Sequence, residues 1–301
     1  MPTTSRATRT AALAIVSGVL VTVAPVWSIP QDVVSVFSRT VDSRAVDRQL
    51  PLEPTKDSGQ SVTGAFEGWY ANPDDSFTLL VGYFNRNQAE IVDIPTGPNN
   101  RIDPGGPDQG QPTHFLPRRQ WGVFTIAVPK DFGDKKLIWT LVANGQTTSI
   151  PMSLNPLWVV EPFKAAGIGN TPPIVAFAPG GPAFQGPPRG IGASLSTSIA
   201  APLTLTLWVT DDGRQAPEAR PRAGPSATIS WSLFRGPGVV RFGDVTPRVD
   251  QRSGQATTTA TFSTPGEYIL RAQANDVSGD GGGGFQCCWT NVHVKAIVTR
   301  P

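Results

Sequence analysis

From Leu203 to Val298, apolar side chains fall at every second position, segment after segment. Leu203, Leu205, Leu207 and Val209 alternate with Thr204, Thr206, Trp208 and Thr210. Ile229, Trp231 and Leu233 alternate with Thr228, Ser230 and Ser232, and Val240 and Phe242 follow. Thr258, Ala260 and Phe262 alternate with Thr257, Thr259 and Thr261. Tyr268, Leu270, Ala272 and Ala274 alternate with Ile269, Arg271 and Gln273, and Val292, Val294, Ala296 and Val298 with His293, Lys295 and Ile297. Successive side chains of a strand point to opposite faces, so this period of two buries one face and wets the other. Several such strands separated by turns predict an antiparallel sandwich.

The chain ahead of these strands is also β-patterned. Gly64 to Tyr70 is aromatic-rich and ends at the turn signal Asn72-Pro73-Asp74-Asp75. Phe77 to Phe84 carries apolar residues on both faces, and Trp121 to Val128 on one. Lys136 to Ala143 and Thr147 to Leu154 flank Asn144-Gly145, the signal of a type I′ hairpin. No segment here keeps a helical period over three turns. The 31 Gly and 30 Pro make about a fifth of the chain, against ~12% in average usage, so turns and loops should be abundant. Two stretches read as irregular: a long loop from Pro95 to Arg118, and residues 162–198. The second holds Pro172-Pro173, Pro179-Gly180-Gly181-Pro182 and Gly186-Pro187-Pro188, read as excluding regular structure.

Two details set the type of the C-terminal sandwich. Trp231 points inward on its third strand, and Tyr268 follows Pro265-Gly266 where a tyrosine corner belongs. With Trp231-Ser232, Gly236-Pro237-Gly238, Ala260-Thr261-Phe262-Ser263 and Pro265-Gly266-Glu267-Tyr268, residues 199–300 resemble the Ig-like and PKD-like repeats of bacterial exported proteins. The segment departs from the PKD pattern in lacking Gly-Asp-Gly after the tryptophan. The resemblance implies a fold and a binding or spacer role, with no activity attached. The reading is therefore an all-β chain of two β-sandwich domains, the C-terminal one immunoglobulin-like. Its parts are a signal peptide (1–28), a polar tether (29–62), an N-terminal sandwich (63–161), a Pro/Gly-rich connector (162–198) and the Ig-like sandwich (199–301).

The N-terminus reads as an export signal. Arg6 and Arg9 precede an apolar run from Ala11 to Trp27, and Val26 and Ser28 supply small residues at the cleavage positions. Export points to the periplasm or the cell surface, with membrane attachment only if this segment stays uncleaved. Cleavage takes the formal charge from +2 to zero, because Arg6 and Arg9 are lost with no acid. A neutral chain lacks the basic patch that nucleic acid would require.

Signatures of common enzymes are missing: there is no Gly-x-Ser-x-Gly, no His-Glu-x-x-His and no phosphate-binding glycine loop. The leading expectation is a non-enzymatic module that binds a protein or a polysaccharide. The alternative is an enzyme or accessory subunit using the long loop, with Asp103, Asp108, His114 and Arg118. His293 is expected on the wet face of its strand. Trp208, Trp69 and Tyr70 are candidate aromatic platforms, with His114 and Arg118 as polar binding residues. Asp211, Asp212, Asp276 and Asp280 lie in loops that meet at one end of an Ig-like sandwich. They suit either Ca2+, which takes several oxygen ligands, or ordinary turn chemistry. Cys287 and Cys288 are adjacent; a vicinal disulfide, free or mixed thiols and a soft-metal site are all open to them.

Overall fold

A computed structural model describes residues 55–165, 167–214, 226–276 and 287–301. The leader and most of the tether lie outside the described residues. Residues Pro54–Pro301 form one compact unit, built of two lobes that share a buried interface. Among the described residues no helix is long and apolar enough to cross a membrane.

The N-terminal lobe runs β1 (Val62–Ala71), β2 (Phe77–Asn85), β3 (Val92–Asp93), β4 (Asn100–Asp103), β5 (His114–Phe115), β6 (Arg118–Val128), β7 (Leu137–Ala143) and β8 (Gln146–Met152). A 3-10 turn follows at Pro156–Trp158. The strands form a β1-β2-β6 sheet, a β4-β7-β8 sheet and a β3-β5 pair. Leu79, Val81, Tyr83, Phe124 and Ile126 of the first sheet share a core with Ile102, Trp139 and Leu141 of the second. Asn144 and Gly145 have φ of 49° and 76°, as a type I′ hairpin needs. The long loop is not wholly irregular, since β4 and β5 fall inside it. Asn100 is the reason: it is fully buried, donates to the carbonyls of Ile94 and Pro112, and accepts from Trp139 Nε1. The last residues read as tether are also anchored. The carbonyls of Lys56 and Asp57 accept from Gln88, Ala89 and Glu90.

The second lobe runs β9 (Ile174–Ala176), β10 (Ala183–Gln185), β11 (Ile191–Ser198), β12 (Leu203–Thr210), β13 (Ala227–Arg235), β14 (Val240–Phe242), β15 (Gln255–Phe262), β16 (Gly266–Asp276) and β17 (Trp289–Thr299). One sheet has the order β10-β9-β12-β15-β14 and the other β11-β17-β16-β13. β11 lies parallel to β17; the other pairs are antiparallel. Lettered from A at β9, the sheets read A-B-E-D and G-F-C, with β11 the second half of the first strand. That order is immunoglobulin-like. Trp231 is buried between the sheets, and Tyr268 Oη donates to the carbonyl of Thr264 at 2.7 Å, the expected corner.

Two expectations are corrected. The supposed connector supplies β9, β10 and β11. Its prolines bracket these strands rather than interrupting them, so the missing N–H groups fall where no ladder bond is needed. The outer face of the β16-β17 region is also not wet, for Arg271, Gln273, Asn291 and His293 are all buried there. The N-terminal lobe covers that face. Asn291 Nδ2 donates to the carbonyl of Gly122 (2.9 Å), and Arg271 donates to Gln120 Oε1 (2.6 Å). His293 Nε2 donates to the carbonyl of Val123 at 3.1 Å. Phe234 of β13 enters the N-terminal core, and Trp289 packs with Tyr70, Leu80 and Val160.

Candidate functional site

The lobes leave a groove of about 940 Å3 where the β3-β5 pair meets the edge strand β13. Its N-terminal wall is Ile91, Asp93, Pro95, Thr96, Thr113, His114 and Leu116. Its other wall is Trp231 to Leu233 and Arg235 to Val240, closed by Phe242, Val245 and Pro265 to Glu267. Ile91, Val239 and Val245 remain exposed along it. An apolar, concave surface carrying a few fixed polar groups is what a binding site requires.

Those polar groups are held by the strands. Asp93 and His114 are cross-strand partners in the β3-β5 ladder, which brings His114 Nδ1 to 2.6 Å from Asp93 Oδ1. The neighbouring Phe115 is fully buried and fixes the strand. Arg235 is clamped across the lobes. Its guanidinium holds both oxygens of Asp108 (2.8 and 3.0 Å), and its Nε donates to the carbonyl of Gln111 at 2.6 Å. That bidentate pairing keeps the Asp108 carboxyl below its usual range.

The long-loop residues therefore do not converge on His114. Asp103 pairs with Arg101 at 2.9 Å, Asp108 pairs with Arg235, and Arg118 is exposed outside the groove wall. The partner of His114 is Asp93, outside the loop as the sequence delimits it. The aromatic candidates are mostly engaged. Tyr70 is buried, edge-on to Phe163 at 5.2 Å, and presents no platform to solvent. Trp69 donates to the carbonyl of Asn155 and lies edge-on to Phe77. Trp208 is half-buried beside Gln255 and Ala176. Sequence reasoning missed the groove itself. Its signal was Gly236-Pro237-Gly238-Val239-Val240, an apolar run after a glycine turn at a strand edge.

At the far end of the sandwich, Cys287 and Cys288 form a vicinal disulfide beside the carbonyl of Asn170. Asp211 and Asp276 end the inward columns of β12 and β16. Asp212 accepts from the N–H and hydroxyl of Thr171 (3.1 and 3.0 Å). Asp280 lies outside the described residues. Among the described residues no three His, Cys, Asp or Glu side chains converge to hold a metal.

No family model and no curated protein matches the chain. Among solved structures it is similar to the D00-D0 domain of Intimin: 11% identity, TM-score 0.26, covering 79% of this chain and 100% of that one. It is also similar to domains 4 and 5 of the S-layer protein SbsC (11%, TM-score 0.23, 80% and 98%). A third likeness is to the fibronectin(III)-like modules of Clostridium thermocellum CbhA (11%, TM-score 0.22, 80% and 95%). The fold rests on the strand order, not on these likenesses.

Proposed function

We propose that the chain is an exported, non-enzymatic binding module that takes an extended, apolar segment of a partner protein into the inter-lobe groove. The observation carrying this reading is the groove's composition: a long apolar wall running from the end of β13 through the turn into β14, with His114 and Arg235 held by hydrogen bonds beside it. The β13 edge is already bonded at Trp231 N–H and the Phe234 carbonyl, so an extended segment would be held chiefly by its alternate side chains in the apolar pockets of the groove. The leader pattern and the Cys287–Cys288 disulfide both support an oxidising compartment outside the cytoplasm. A polysaccharide fits less well, because sugar sites need flat exposed rings and dense polar contacts.

The test is selection of displayed random peptides on the full chain. Binders should lose affinity by about tenfold with Val239→Asp or Ile91→Asp, the loss of an apolar anchor. Both side chains are exposed, so the melting temperature should hold. Binders indifferent to both substitutions, or a glycan panel that binds where no peptide does, would overturn the reading.

A further inference from the structure

The four-stranded sheet of the second lobe has two edges, β13 and β11. The β13 edge is occupied: the Trp231 N–H donates to the Val245 carbonyl, and the Phe234 carbonyl accepts from Thr113. Other strand edges are short or blunted. β4, β10 and β14 run for only three or four residues, β8 carries Pro151, and β1 is bridged at Trp69 to Val159. β6 lies against the second lobe, where Gly122 and Val123 give their carbonyls to Asn291 and His293. Such protection is general, since an open edge presents unpaired N–H and C=O groups that a further strand can take.

β11 is left open. Along Ala193–Ser196 its backbone bonds only to β17 among the described residues. Ile191–Ser198 includes no charged residue and no proline. After an irregularity at Gly192, the register with β17 runs unbroken from Ala193 opposite Val294 to Ser198 opposite Thr299. Ala193 and Leu195 pack inward on the core, while Ser194 and Ser196 are exposed on the outer face. The outward residues of β17 beside those serines are Lys295 and Ile297. Lys295 is paired with Glu267 at 3.1 Å, and Ile297 is exposed. The edge itself is therefore neutral, and the charge next to it is already balanced.

We infer that β11 pairs antiparallel with β11 of a second copy of this chain, joining two four-stranded sheets into one of eight. A charged strand would meet no counter-charge here, whereas an identical neutral strand meets no repulsion. The alternation of faces also matches itself. A two-fold axis at Leu195 sets Ser194 against Ser196 and Ala193 against Thr197, so the outward serines meet and the inward faces continue each other. Ile191 and Ile297, both exposed, add apolar area beside the serines. Six paired residues span roughly 20 Å at ~3.3 Å each. That is a small interface, so assembly should depend on concentration. Because β13 is occupied, pairing closes at two copies and does not grow into a fibre. The groove lies at the β13 edge, so dimerisation and the segment proposed for the groove do not compete.

The experiment is sedimentation equilibrium of the full chain from micromolar to near-millimolar concentration. The mean mass should rise twofold, from one chain to two. Ser194→Lys combined with Ser196→Lys should hold it at one chain throughout, because like charges then meet across the axis. Both side chains are exposed, so this variant should melt where the dilute unaltered chain does. Mixing it in equal amounts with the Ser194→Glu, Ser196→Glu chain should restore the twofold mass, which a merely misfolded variant would not do. A mass of one chain across the whole range for the unaltered protein would overturn the pairing. So would a twofold rise that persists in the lysine variant, which would place the contact on another surface. A mixture of the lysine and glutamate variants that stays at one chain would equally overturn it.

Discussion

The six-membered ring of Trp289 crowds Gly122 so closely that a β-carbon at residue 122 would collide with its edge at Cη2. Gly122 also sits at φ +49°, where side chains are disfavoured. One glycine on β6 thus seats the aromatic anchor of β17, and the two lobes are held in register at that contact. The Trp289 ring then reaches Tyr70, Leu80 and Val160.

Gly122→Ala should destabilise the folded chain by about 2–4 kcal/mol, combining left-handed backbone strain with overpacking. Urea unfolding followed by tryptophan fluorescence measures this. The same substitution in a Trp289→Ala background should cost clearly less, because only the backbone strain remains. Equal costs in both backgrounds would show that the ring does not set the contact.

Tyr268→Phe should cost about 1 kcal/mol, the worth of its hydrogen bond to the Thr264 carbonyl. The ring itself stays useful: it packs on Phe262 at 4.7 Å and lies against Gly236, where a β-carbon has no room. An unchanged urea midpoint would mean that the corner hydroxyl is equally well served by water.

Much of this fold was legible from period-two patterning. It located β12, β13, β15, β16 and β17 and their inward faces, because burial between two sheets imposes alternation directly. Trp231 and Tyr268 were legible for the same reason. The pattern misled where one sheet has two dry faces. Arg271 and His293 look like wet residues by alternation, yet an inter-lobe contact buries them. Phe77 to Phe84 carried the opposite clue: apolar residues on both faces, with Leu80 reaching Trp289. Short strands such as β9 and β10 were hidden by flanking prolines. The groove was hidden because its walls come from segments more than a hundred residues apart, and only the folded lobes bring Asp93 and His114 beside β13.

His293 gives the chain a pH dependence whose sign follows from its surroundings. Burial chiefly, then the Arg271 and Arg235 charges facing it from β16 and β13, lower its pKa from 6.5 to about 3, against the opposing hydrogen bond to the Val123 carbonyl. The folded chain keeps the imidazole neutral, while the unfolded chain protonates it below its ordinary pKa. More protons bind to the unfolded state between those two values, so stability from this residue is full above about pH 6.5 and is lost as pH falls toward 3. His293→Gln retains an N–H for Val123 but cannot titrate. Its urea midpoint should therefore fall less steeply than that of the unaltered chain between about pH 7 and pH 4, with the carboxylates contributing equally to both. Parallel curves over that range would mean that His293 is protonated in the folded chain as readily as in the unfolded one.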